Sequence, residues 1–108
     1  MGHRIVAWLI VCSLITSISH AQDGEATRLF DEGRKLFTEG RFGDACPLFR
    51  RSHELDPKVG TLLNLAECSD RRGFIAESYR AWRDAEALSE QTGDERLAFA
   101  RENRQRVE

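Results

Sequence analysis

Shifted by 33 residues, the chain meets its own pattern. Leu29 falls on Leu62, Gly33 on Ala66, Gly40 on Gly73 and Phe42 on Ile75. Ala45 then falls on Ser78, Phe49 on Trp82, Ser52 on Ala85 and Leu55 on Leu88, so that small positions coincide with small and large with large. This recurrence restricts the fold more than any other feature. A unit of about 33 residues is one supersecondary element that cannot bury its apolar face alone and must stack on a neighbour. The physical logic is two antiparallel helices joined by a glycine turn. A small residue sits where the backbones approach, and an aromatic from the second helix fills the gap beside it.

Helical periodicity supports this. Leu29, Phe30, Gly33, Leu36 and Phe37 share one broad face of a helix over 25–39, with Asp23 as its cap and Gly40 as its left-handed terminator. A second helix carries Ala45, Phe49, Ser52 and Leu55 inward and stops at Asp56-Pro57, because proline disfavours helix in the residue before it. Pro47 leaves two starts open, near Asp44 or at Arg41 with a bend near Gly43; the inward character of Phe42 favours the second. A third helix over 61–72 presents Leu62, Leu65, Ala66 and Ser69 to the core. A fourth over 74–92 uses Ile75, Ser78, Trp82, Ala85 and Leu88. Gly93-Asp94 breaks the chain and caps a last helix over 95–107. Its Leu97, Phe99 and Ala100 are expected to cover the second unit, leaving Arg101, Arg104 and Arg106 largely in water. No strand-like alternation of useful length occurs, so the expected class is all-α.

These residues resemble the tetratricopeptide repeat. The first unit, 26–58, has its small residue at Gly33, its turn at Gly40 followed by Phe42, then Ala45, Phe49 and Leu55-Asp56-Pro57. The second, 59–91, has Leu63-Asn64-Leu65-Ala66, then Gly73, Ile75, Ser78, Trp82 and Leu88. The run from Ala45 to Cys68 also looks like exported repeat proteins of high-GC, myxobacterial-type genomes. The sequence departs from the family in its period of 33 rather than 34, in Ser69 where a large side chain is expected, and in having no proline after Leu88. The resemblance implies a short solenoid of two helix-turn-helix units closed by a capping segment, 94–107.

Residues 1–21 read as a secretory signal peptide. Met1 to Arg4 is short and basic, Ile5 to Ile18 is mostly apolar, and Ser19-His20-Ala21 offers small residues around a cut after Ala21. A retained membrane anchor is the alternative, although Ser13, Thr16 and Ser17 interrupt a run shorter than the roughly 20 residues a spanning helix needs. The expected location is the periplasm or cell envelope, with a domain over 22–108. Processing removes one arginine and takes the net charge from −2 to −3. Mixed arginine and carboxylate runs on a mildly acidic chain mark solvated faces and argue against a nucleic-acid partner. Cys46 and Cys68 remain, an even pair that reads as a disulfide in an oxidising compartment. Each lies 11 residues from Pro57, on opposite sides, which places them at one height on antiparallel helices.

No catalytic constellation appears. His53 is the single histidine after residue 21 and reads as a solvated side chain late in a helix. Two cysteines 22 apart form no C-x-x-C, and with one histidine they show no metal-ligand spacing. Asp31 and Glu32, being adjacent, point different ways on a helix. The reading is a non-enzymatic module without cofactor or metal. In the repeats it resembles, the first helix of each unit lines a concave groove for peptide or protein segments. Matching positions assigns Phe30, Arg34, Phe37 and Thr38 from the first unit and Leu63, Asn64, Glu67 and Arg71 from the second. Asn64 is where the family often bonds a bound peptide backbone. Packing of Phe30, Phe37 and Leu63 between helices stands as the alternative for those three. The partner implied is a protein or peptide, and homo-oligomers are compatible with the pattern. Alternatives are a structural subunit that self-associates or joins a larger envelope assembly, and a small thiol-redox protein.

Overall fold

A computed structural model describes the backbone of residues 2–108 and the side chains of residues 20–108. The expected signal segment, 1–21, therefore falls outside the described side chains except at His20 and Ala21. The molecule is all-α, with α1 (Gly2–Thr38), α2 (Phe42–Leu55), α3 (Val59–Arg71), α4 (Ile75–Thr92) and α5 (Leu97–Val107). Each helix packs on its neighbour in sequence, and α1 also touches α3. Among the described residues no helix is long and apolar enough to cross a membrane.

The offset of 33 extends to the backbone. Gly40 and Gly73 have positive φ values of 77° and 73°. After α1 the Gly40 amide donates to the Phe37 carbonyl and the Arg41 amide to that of Leu36, both at 2.9 Å. After α3 the Gly73 amide donates to Asp70 and the Phe74 amide to Ser69, both at 3.0 Å. These paired bonds satisfy the last carbonyls of each helix and need a left-handed residue that glycine adopts without strain.

The start of the first helix differs from the expected cap. Asp23 lies inside α1, where its carbonyl accepts a 3.0 Å bond from the Thr27 hydroxyl. No proline interrupts the chain there, and Gly24 alone disfavours helix by only about 1 kcal/mol. The second helix takes the earlier of its two starts and runs through Pro47. The proline frees the carbonyl of Gly43, which is exposed to water and so needs no protein donor.

The core forms where the offset placed it. Ala45, Phe49, Leu62, Leu65, Ala66, Trp82, Ala85 and Ala100 are buried. Gly33 is buried against Phe49, and a Cβ there would stand 2.8 Å from the ring. Ser52 donates from a buried position to the Ala26 carbonyl at 2.7 Å, tying the last turn of α2 to the middle of α1. Cys46 and Cys68 form a disulfide with 5.6 Å between Cα atoms, joining α2 to α3 with both residues fully buried.

One expectation fails in the second unit, and the last helix adds contacts that were not expected. Ile75 is 59 % exposed. Its counterpart Phe42 packs edge-on to Phe37 with ring centroids 5.0 Å apart, but the position matching Phe37 is Asp70, which offers Ile75 no apolar partner. Asp70 instead accepts from Ser78, from the Trp82 indole at 3.2 Å and from Arg106 at 2.6 Å. Of the arginines of α5, Arg106 and much of Arg101 stay in water as expected while Arg104 is mostly covered, yet all three find carboxylates: Arg101 pairs with Glu86 at 3.0 Å, Arg104 pairs with the same carboxylate, and Arg106 reaches Asp70. The expected apolar cover comes from buried Ala100, half-buried Leu97 and the edge of Phe99 on Trp82, 5.7 Å between centroids, and Val107 also packs against the core. The helix itself begins at Leu97 because the Asp94 carboxylate binds the Arg96 amide and guanidinium rather than the helix amides.

The α5 contacts carry a pH signature. Hydrogen bonds from Arg104 and Arg101 hold the Glu86 carboxyl below its usual range despite partial desolvation. Those from the side chain and backbone of Arg96 bring Asp94 down to about 2. Carboxyls depressed in the folded state contribute stability above their unfolded values and lose it as pH falls through the folded ones. Amide protection in α5 is therefore expected to fall before that in α2 and α3 as pH drops from about 4 towards 2. Hydrogen exchange checks this, and equal protection of all three helices at the acid end would contradict it. Reduction of Cys46–Cys68 is expected to lower stability by about 3 kcal/mol through the 22-residue loop it opens, measured by denaturant titration with and without reductant.

A candidate interaction face between α1 and α3

Residues on α1 and α3 that are 30 or more apart in sequence meet on one face. Arg34 donates from Nη1 to the Asn64 side-chain carbonyl at 2.7 Å. The Asn64 amide nitrogen donates in turn to the Gly60 carbonyl at 2.7 Å. Asn64 is thus internally satisfied and fixes the direction of Arg34. The Arg34 guanidinium lies 5.7 Å from the centroid of the Phe37 ring, and that of Arg71 lies 6.0 Å from the same centroid and 5.7 Å from that of Phe42. Such contacts hold a cation near an aromatic face without neutralising it.

The eight groove positions divide in their surroundings. Arg34, Phe37, Asn64 and Arg71 are brought together. Glu67 is exposed on the α3 stripe between Asn64 and Arg71. Phe30 is half-buried, 5.9 Å from the Phe49 ring, at the end of the face away from the glycine turns. Thr38 is exposed, and its hydroxyl donates to the Arg34 carbonyl at 2.9 Å, which occupies its donor within α1. Leu63 is only 8 % exposed and belongs to the core. It lies one residue off the stripe Gly60, Asn64, Glu67, Arg71, and that step turns its side chain inward.

Two cations of this face are in no ion pair among the described residues. Arg28, Arg41, Arg50, Arg51 and Arg96 each hold a carboxylate. Among the described residues Arg34 and Arg71 hold none, so their donors stay available to an incoming backbone or acidic group. On the other side of the molecule, burial raises the Glu77 carboxyl, but bonds from Arg50 and Ser69 more than offset it and leave it lowered. That pairing explains Ser69, whose hydroxyl reaches Glu77 at 2.8 Å where a larger side chain was expected. His53 is partly buried rather than solvated, and its Nδ1 has no hydrogen-bond partner.

Gly60, Thr61 and Arg96 were not singled out by the sequence. With Ala26, Phe30 and Asp31 they line a cleft of about 380 Å³ beyond the end of the face. Gly60 was findable, since it opens the helical stripe that Asn64 continues. Comparison with family models, with curated proteins and with solved structures returned no match.

If the Arg34–Asn64 bond persists in solution, Arg34→Ala should leave the helical content unchanged while the Asn64 side-chain amide resonances shift and broaden. Unchanged Asn64 resonances would mean that the contact does not persist in solution.

Proposed function

We propose that this chain is a short tetratricopeptide-type repeat, with units 26–58 and 59–91 closed by the segment 94–107, that binds a segment of a partner protein in the bacterial envelope. It works without catalysis and without a cofactor. The observation that carries this reading is the convergence of Arg34 and Arg71 on the Phe37 ring with neither held in an ion pair among the described residues. An apolar ring flanked by two available guanidinium groups suits a peptide whose carbonyls or acidic side chains meet the arginines and whose apolar side chain meets the ring. The Arg34–Asn64 bond supports it by holding one of those cations in place before any ligand arrives.

Thiol-redox activity is disfavoured because both sulfurs lie in the core, and an attacking thiolate needs access. Self-association draws on a different observation, the exposure of Phe74 and Ile75 at the α3–α4 turn, where Arg72 stacks on Phe74 at 4.3 Å. Concentration-dependent mass separates that reading from the first.

A photoreactive phenylalanine analogue at Glu67, on the face, and at Arg83, on the exposed side of α4, tests the proposal in envelope extract. Adducts are expected from Glu67 alone, and Arg34→Glu or Arg71→Glu should reduce them by about ten-fold or more with helical content unchanged. Equal adducts from both positions, or adducts insensitive to the arginines, would overturn it.

A further inference from the structure

The cleft beyond the face has an electrostatic arrangement of its own, whose charged and polar groups the proposed face does not use, although Phe30 borders both. Its α3 wall presents unfilled donors. Lys58 precedes α3 without a side-chain cap, and the helix's first backbone bond runs from the Leu62 amide to the Lys58 carbonyl. The amides of Val59, Gly60 and Thr61 therefore have no acceptor within the helix. Thr61 is only 4 % exposed and lines the cleft, yet its hydroxyl has no hydrogen-bond partner among the described residues. The residue is otherwise buried, so this hydroxyl is open only to the cleft and stands ready for a group that enters it.

Arg96 adds a third donor from a distant part of the chain. Asp94 accepts from its Nε and Nη2 and from its backbone amide, at 2.8–2.9 Å. The guanidinium is thereby fixed with Nη1 left over. Nη1 rests on the first turn of α3, where a Cβ on Gly60 would stand 3.2 Å away. Glycine at that position is what lets the arginine lie across the helix end. An uncapped helix N-terminus, an unpartnered hydroxyl and a free guanidinium edge in one cleft are a set of groups that receives an anion.

The opposite wall carries the other sign. Asp31 on α1 lines the cleft and has no ion pair among the described residues, whereas Asp56 is paired with Lys58 at 3.2 Å. Ala26 and Phe30 supply an apolar surface beside Asp31. We infer that the cleft binds a small zwitterion, an α-amino acid with an apolar side chain. Its carboxylate meets the first turn of α3, Thr61 and Arg96; its ammonium meets Asp31; its side chain lies along Ala26 and Phe30. A bare carboxylate meets repulsion from Asp31, and a bare ammonium gains none of the donors on α3. About 380 Å³ is ample for such a ligand.

The test uses the disulfide-bonded chain and three probes: L-valine, 3-methylbutyrate, which lacks its ammonium, and isobutylamine, which lacks its carboxylate. L-Valine is expected to shift the Gly60 and Thr61 amide resonances saturably, with an affinity at least about ten-fold above that of either fragment. Thr61→Val, which leaves the Asp94–Arg96 pair untouched, should weaken valine by a similar factor, as should Arg96→Gln. Asp31→Asn should bring valine and 3-methylbutyrate to equal affinity. Equal binding of valine and 3-methylbutyrate by the unaltered chain, or no saturable shift with valine, overturns the proposal. Because none of these probes or substitutions touches Phe37 or Arg71, such a failure leaves the reading of the α1–α3 face as it stands.

Discussion

The Phe49 ring rests where Gly33 has no side chain, and most of the first unit is arranged around that contact. Gly33 lets α1 and α2 approach until the ring lies within van der Waals distance of the helix backbone. From there the ring touches Phe30 on one side and Phe37 on the other, with centroids 5.9 and 6.5 Å away. Phe37 is in turn the surface on which Arg34 and Arg71 converge. A close-packed interior transmits displacement instead of absorbing it. A shift of Phe49 would therefore pass through Phe37 to both guanidinium groups. Core packing and the candidate face are one construction.

The second unit solves the same geometric problem with different chemistry. Ala66 stands where Gly33 stood and Trp82 where Phe49 stood, both buried. The aromatic at Phe37 has become Asp70, and apolar contact gives way to a polar junction of Ser78, Trp82 and Arg106 around one carboxylate. This exchange leaves Ile75 outside the core and gives α5 an anchor that a chain of apolar contacts would not supply. The α4–α5 junction thus adds ion pairs to its apolar contacts, whereas α2 and α3 are joined covalently, so the two junctions respond to different conditions.

The parts legible in the sequence were those that packing writes as a period. Small residues at Gly33 and Ala66, aromatics at Phe49 and Trp82, and turn glycines at Gly40 and Gly73 follow from the space each position leaves. The Cys46–Cys68 pairing followed from equal distances to Pro57. The offset misplaced Ile75 because it matched that residue to Phe42 without asking what had replaced Phe37. The arginines of α5 read as a solvated face because a charge pattern shows sign and not partner; Glu86 and Asp70 lie 18 and 36 residues away from the arginines they hold. The cleft was least legible. It depends on the approach of Arg96 to Gly60 and on donors left unfilled, and the absence of a partner is invisible in one dimension.

The claim that one contact organises both core and face is tested by a double-mutant cycle of Gly33→Ala and Phe49→Leu. Alanine gains about 0.5–1 kcal/mol over glycine inside a helix, and in the unaltered chain displacement of the ring should cancel or exceed that gain. With leucine at 49 the obstruction is gone, and Gly33→Ala should become stabilising. The account predicts a coupling of about 1 kcal/mol or more between the two sites. Additive effects, with Gly33→Ala changing stability equally in both backgrounds, would contradict it.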